Sequence, residues 1–138
     1  MPLNDIPQSR ADGRGLLVYL HGFDESPATV PAFVRDRADD GWLRICPAGP
    51  IATDRGFSWF ETGGRGVDAA SLDAAVAAVD AAITATIAEL AGSAHPDVDP
   101  LVVLGGGSQG AATALAIAAR TARPRAGLLL QAGFVPES

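Results

Sequence analysis

The 138-residue chain is 48% apolar and 19% charged, with a formal charge of −6 and ten basic residues that are all arginine. A chain of this length holds one compact domain rather than two, and its mean hydropathy of +0.20 excludes a highly charged, disordered polymer. No basic run is present, which excludes nucleic acid and anionic membrane surfaces as expected partners. The single cysteine, Cys46, excludes a disulfide framework and CxxC metal or redox motifs. No metal and no cofactor is called for.

Met1 to Arg14 form a polar segment without the apolar stretch of a signal peptide. No later stretch is expected to approach the roughly 18 apolar residues of a membrane span, so the cytoplasm is the expected location and residues 15–138 the folded domain. Gly15-Leu16-Leu17-Val18-Tyr19-Leu20 is an unbroken apolar run followed by His21-Gly22, the pattern of a strand buried on both faces. A turn through Asp24 to Pro27 leads to a helix expected from about Thr29 to Asp40, with Thr29 as its cap, Pro31 in its first turn and Gly41 as its stop. Trp42 to Cys46 form a second short strand, whose terminal thiol is expected to be buried. A long loop then runs to about Gly66 and carries Gly56-Phe57-Ser58-Trp59-Phe60-Glu61; long loops inside compact domains are often functional.

Leu72, Val76, Val79, Ile83, Ile87 and Leu90 recur at helical spacing and predict a helix from about Asp68 to Ala91, ended by Gly92. Leu101 to Leu104 form the third strand, which runs into Gly105-Gly106-Gly107-Ser108-Gln109-Gly110 and an alanine-rich helix to about Thr121. Ala126 to Gln131 form the fourth strand. The order β-α-β-α-β-α-β predicts one α/β domain with a parallel sheet and helical crossovers.

Gly106-Gly107-Ser108-Gln109-Gly110 matches G-x-S-x-G. In that spacing a serine sits on a strained strand-to-helix turn, small neighbours let the backbone close up, and the hydroxyl rises above the sheet. The position of this pentapeptide after an apolar strand and before a helix makes Ser108 the candidate nucleophile. A nucleophilic serine also needs donors for the developing oxyanion. The amide after the nucleophile, Gln109, is one candidate; the second lies in the turn after the first strand, where His21-Gly22 precede the Phe23 amide. His21, Gly22, Gly106 and Gly110 support the two motifs. Nucleotide binding through Gly105 to Gly110 is the weaker reading, since the Lys-Ser/Thr of a P-loop is absent.

Four segments in matching order, Leu20-His21-Gly22-Phe23, Gly56-Phe57-Ser58-Trp59-Phe60-Glu61, Leu104 to Gly110, and Gln131-Ala132-Gly133-Phe134-Val135-Pro136, resemble the phospholipase/carboxylesterase family of α/β-hydrolases, which includes the acyl-protein thioesterases. The resemblance covers nearly all of residues 15–138 and departs from the family at Gly107 and Ala111. It implies a three-layer α/β/α fold with strands in the spatial order second, first, third, fourth, and a site at the switch point between the first and third strands. It implies cleavage of a small ester or thioester through an acyl-serine. Trp59 and Phe60 become candidates for the substrate pocket, with anchoring of the loop against the core as the equal alternative.

A serine hydroxyl also needs an oriented base, and in the family the acid and the histidine follow later strands, beyond the position of Ser138. Of the two histidines here, His95 is expected near the opposite end of the third strand, on the order of 15 Å from Ser108, and His21 shapes the oxyanion turn. The expectation is therefore a truncated or split α/β-hydrolase, completed by a C-terminal segment or by homo-oligomerisation through a fourth strand left as an open edge. The alternative is a non-catalytic scaffold that associates through that edge.

Overall fold

A computed structural model of the chain describes residues 15–35, 42–91, 101–121 and 127–131. Its centre is a four-stranded parallel sheet in the order β2-β1-β7-β8, built from β1 (Gly15–Leu20), β2 (Trp42–Ile45), β7 (Leu101–Gly107) and β8 (Gly127–Gln131). The strand order expected from the sequence is the one observed, and the strands lie where expected except that β7 runs three residues beyond Leu104, through Gly107. Every residue of β1 is buried, as a strand covered on both faces requires. Leu16, Val18 and Leu20 pack on one side with Leu43, Ile45, Val102 and Leu104. Tyr19 points to the other, with Val30, Val34 and Cys46. The buried Cys46 thiol agrees with expectation.

Helix α2 (Ala69–Ala91) lays Leu72, Val76, Val79 and Ile83 into the first of these cores, beside Ala112, Ala116 and Ile117 of α3 (Gln109–Arg120). Of the stripe read from the sequence, Leu72, Val76, Val79 and Ile83 are buried and Ile87 partly so, and the Asp68 carboxylate accepts from the Ser71 amide at 2.9 Å to start the helix. An Arg120–Asp73 ion pair ties α3 to α2. One expectation is corrected here: Ala69–Glu89 is long and apolar enough to cross a membrane, with mean hydropathy 1.5. Length and composition alone give that result, much of it from alanine, while the larger Leu72, Val76, Val79 and Ile83 of the same helix are buried in the core.

The first helix also departs from expectation. Pro27–Thr29 form a single 3₁₀ turn, capped by Ser26 and closed reciprocally by the Thr29 hydroxyl, and α1 (Ala32–Arg35) begins only after it. Pro31 forces Val30 into an extended conformation (ψ 156°), so a helix cannot run through from Thr29. The expected continuation to Asp40 lies outside the described residues. The long loop is more ordered than its sequence suggests: β3 (Ile51–Ala52) and β4 (Phe57–Ser58) pair as one small hairpin, β5 (Thr62–Gly63) and β6 (Gly66–Val67) as another.

Strand β8 pairs with β7 from Val103↔Gly127 to Gly107↔Gln131, and among the described residues nothing pairs with its far side. Leu128, Leu129 and Leu130 are 43%, 39% and 39% exposed, so large apolar side chains on both faces of this edge are partly open to solvent. Stability should divide accordingly. Leu104→Ala, which empties a buried position, should cost about 2–5 kcal/mol in urea unfolding. Leu129→Lys on the exposed edge should change it by no more than about 0.5 kcal/mol.

Candidate active site

The carboxyl ends of β1 and β7 lie side by side, with Leu20 in register with Gly106. The chain passes from β1 to β2 on one side and reaches β7 on the other, so the crevice above these two ends is the topological switch point of the sheet. Ser108 occupies the turn from β7 into α3 with φ 53° and ψ −117°, a left-handed conformation rare for a residue with a side chain. Such a conformation costs on the order of 1–3 kcal/mol and persists only where surroundings fix it. The Ser108 amide donates to the Gln131 carbonyl at 2.8 Å, and the Ser108 carbonyl accepts from Ala112 at 3.1 Å. Two glycines close the turn. A methyl at Gly106 would lie 2.4 Å from the Gly110 backbone, and one at Gly110 would lie 2.0 Å from the Leu20 carbonyl oxygen. The side chain of Ser108 is exposed and its hydroxyl has no hydrogen-bond partner among the described residues.

The turn after β1 is braced just as closely. The Gly22 amide donates to Glu25 Oε1 at 2.7 Å, Asp24 donates to the Phe57 carbonyl and Phe57 donates back to Glu25. Asp24, at φ 62°, holds the Thr53 hydroxyl and the Arg55 amide on one carboxylate oxygen. The Thr53 hydroxyl first, then the Arg55 amide, pull its carboxyl below the usual range. With Gly22 engaged by Glu25, the next amide is that of Phe23. Neither the Phe23 amide nor the Gln109 amide has an acceptor among the described residues.

His21 is buried and fully engaged. Its Nδ1 lies 2.7 Å from the Gly22 carbonyl and its Nε2 accepts from the Gly49 amide at 3.0 Å; together these require a neutral ring protonated on Nδ1. The Trp59 ring packs on it at a centroid distance of 5.0 Å. Burial lowers its pKa, against the opposing effects of the Gly22 carbonyl and Glu25. No nitrogen remains to take a proton from Ser108, so His21 is a structural residue of the turn. His95 lies outside the described residues.

Gln109 does something the motif alone did not disclose. Its buried side-chain amide accepts from the Trp59 amide at 2.9 Å and donates to Ser58 Oγ and the Phe60 carbonyl at 2.9 and 3.0 Å. It thus pins the Gly56–Glu61 segment to the start of α3. Trp59 is 1% exposed and lines neither cavity of the site; its indole donates to the His21 carbonyl at 2.8 Å. Phe60 is also buried, but it lies on a cavity wall. The expected pair therefore divides, Trp59 anchoring the loop and Phe60 facing a pocket.

Two cavities flank the elbow. One, of about 380 Å³, is lined by Ser108, His21, Gly22, Glu25, Tyr19 and Gln131, among others. The other, of about 420 Å³, is lined by Phe23, Ile51, Phe60, Glu61, Gln109 and neighbours. In the first, the Tyr19 phenol donates to Gln131 Oε1 at 2.8 Å, and burial, followed by the Glu25 and Cys46 charges, pushes its pKa up. Gly105, Gly107 and Gly110 also stand at the G-x-G-x-x-G spacing of a dinucleotide turn. The acidic residue such a site carries about 20 residues later is missing from β8, which ends in Leu130-Gln131. Among the described residues no group of carboxylates, histidines and cysteine is gathered for a metal.

No family profile matches the chain, and no curated protein matches it. Solved structures do. Arabidopsis thaliana SOBER1 is 26% identical over 91% of this chain, with a TM-score of 0.69. A carboxylesterase from Mesorhizobium loti (23% identity, TM-score 0.69) and Zea mays acyl-protein thioesterase 2 (22%, 0.60) match over 91% and 89% of it. The chain spans 64%, 59% and 58% of those proteins, respectively. Its fold is that of α/β-hydrolases of the acyl-protein thioesterase, SOBER1 and carboxylesterase type, over part of their length.

The buried, neutral His21 gives the fold a pH dependence. Its folded pKa lies below the unfolded value of about 6.5, so stability is full above that value and declines as pH falls from there toward the folded pKa, because only the unfolded chain takes up the proton. The thermal midpoint should fall between pH 7 and pH 5, and His21→Asn should flatten that slope.

Proposed function

We propose that this chain carries the nucleophile and oxyanion-binding half of a serine ester or thioester hydrolase. The observation that carries the reading is Ser108, strained and exposed at the switch point, its hydroxyl unengaged among the described residues. In the proposed reaction Ser108 Oγ attacks the acyl carbon and a base takes its proton. The carbonyl oxygen, now negative, receives hydrogen bonds from the Phe23 and Gln109 amides. Collapse of the tetrahedral species breaks the acyl C–O or C–S bond, the base passes the serine's proton to the leaving oxygen or sulfur, and water then hydrolyses the acyl-serine. His21 has no free nitrogen, so the base in this proposal is another group, supplied, as the family resemblance implies, from outside residues 1–138 by a C-terminal segment or an associated chain. The cytoplasm is the proposed location.

Without such a base, hydrolysis should be limited to what oxyanion stabilisation and binding supply, about 10³- to 10⁴-fold over water by analogy with triad deletions. The bare β8 edge favours a second reading, a scaffold that associates through that edge without catalysis. Dimerisation accompanied by activity across a concentration series supports the enzyme; dimerisation alone supports the scaffold.

A fluorophosphonate should add once to the protein, by intact mass, with the adduct on Ser108, and Ser108→Ala should abolish it. Absence of any adduct, even with a completing segment supplied, would reject the nucleophile assignment.

A further inference from the structure

The two candidate oxyanion donors belong to separate parts of the chain, Phe23 after β1 and Gln109 at the start of α3. One residue, Trp59, joins them. The Trp59 main-chain amide donates to the Gln109 side-chain carbonyl at 2.9 Å, and its indole donates to the His21 carbonyl, two residues before Phe23, at 2.8 Å. Both bonds are buried, and Gln109 is held a second time through Ser58 Oγ and the Phe60 carbonyl. The two arms also meet directly, since the space a methyl on Gly110 would fill lies 2.5 Å from the His21 carbonyl oxygen. That contact limits how near the arms approach; the indole bond opposes their parting.

We propose that Trp59 is a positioning residue that sets the separation of the Phe23 and Gln109 amides, an inference that rests on the hydrolase reading above. Main-chain bonds between Phe57 and Asp24 and Glu25 hold the far side of the Phe23 turn to the same segment; the indole N–H is the operative group because, among the described residues, it reaches the His21 carbonyl from the residue whose main-chain amide secures Gln109. An oxyanion needs both donors at hydrogen-bonding distance at once, and displacement of a catalytic group by about 1 Å costs roughly 100-fold in rate. A donor pair that drifts by part of that distance should lose rate without losing affinity for the uncharged ground state.

The test replaces Trp59, site-specifically in the full chain, with its benzothienyl isostere, which keeps ring shape and packing and removes only the N–H. Fluorophosphonate labelling of Ser108 is resolved into its first-order rate and its half-saturating concentration, beside the thermal midpoint. The expected result is a rate about 10- to 100-fold lower with the half-saturating concentration and the midpoint unchanged. Trp59→Phe should behave similarly in rate but unfold earlier, because it also leaves a cavity. An isostere that labels at the wild-type rate overturns the inference while leaving the hydrolase reading intact, as does an effect confined to the half-saturating concentration. A wild-type chain that acquires no label at Ser108, with or without a completing segment, overturns the hydrolase reading and this inference with it.

Discussion

The structure depends on the start of α3 being pressed against the end of β1 with no side chain between them. Gly110 makes that approach, its Cα facing the Leu20 and His21 carbonyls at a distance that excludes even a methyl. Gly106 makes the matching approach within the elbow. Once both contacts close, the residue between them has no relaxed conformation available, and Ser108 is carried to φ 53°. The strain follows from packing the helix onto two strands at once. It is held by the Ser108 bonds to Gln131 and Ala112 and by the small alanine face of α3, where Ala111, Ala112 and Ala114 are fully buried. A larger side chain in that face would lift the helix and relax the serine together.

The same constraint accounts for what could be read beforehand. Close backbone approach leaves a mark in sequence because only glycine permits it, so the elbow at 106–110 and the turn at 21–22 appear as fixed residue types at fixed offsets. Strand order was legible through resemblance, and α2 through its spacing of large apolar residues. The roles of Gln109 and Trp59 as clamps were not legible, because their bonds join residues 38 to 51 positions apart and a polar side chain does not announce its partner. That His21 shapes the oxyanion turn was implied by the resemblance; which backbone groups its ring bridges was not. Its burial between Gly22 and Gly49 decides the matter. The start of α1 was misjudged for a local reason: the effect of Pro31 on the residue before it outweighed the helical pattern that followed.

The turn that carries Phe23 shows how a loop can be rigid without regular structure. Glu25 reaches back to the Gly22 amide, Asp24 collects the hairpin tip through Thr53 and Arg55, and main-chain bonds to Phe57 close the assembly. These partners use the polar groups adjacent to Phe23, while among the described residues its own amide stays unclaimed and its ring stands 61% exposed. An amide kept free amid engaged neighbours suits preorganised anion binding, where donors must not reorganise as charge develops.

Strand β8 connects this site to the open edge of the sheet. Its last described residue, Gln131, accepts the Ser108 amide on its carbonyl and the Tyr19 phenol on its side chain. Its three leucines are exposed on the same short strand. A segment that pairs with β8 would therefore order the residue holding the nucleophile's backbone, beside the 380 Å³ cavity that Ser108, Glu25 and Gln131 share. Edge and elbow share one five-residue element, so a segment paired at the edge would bear on the strained serine through Gln131, without any longer route through the core.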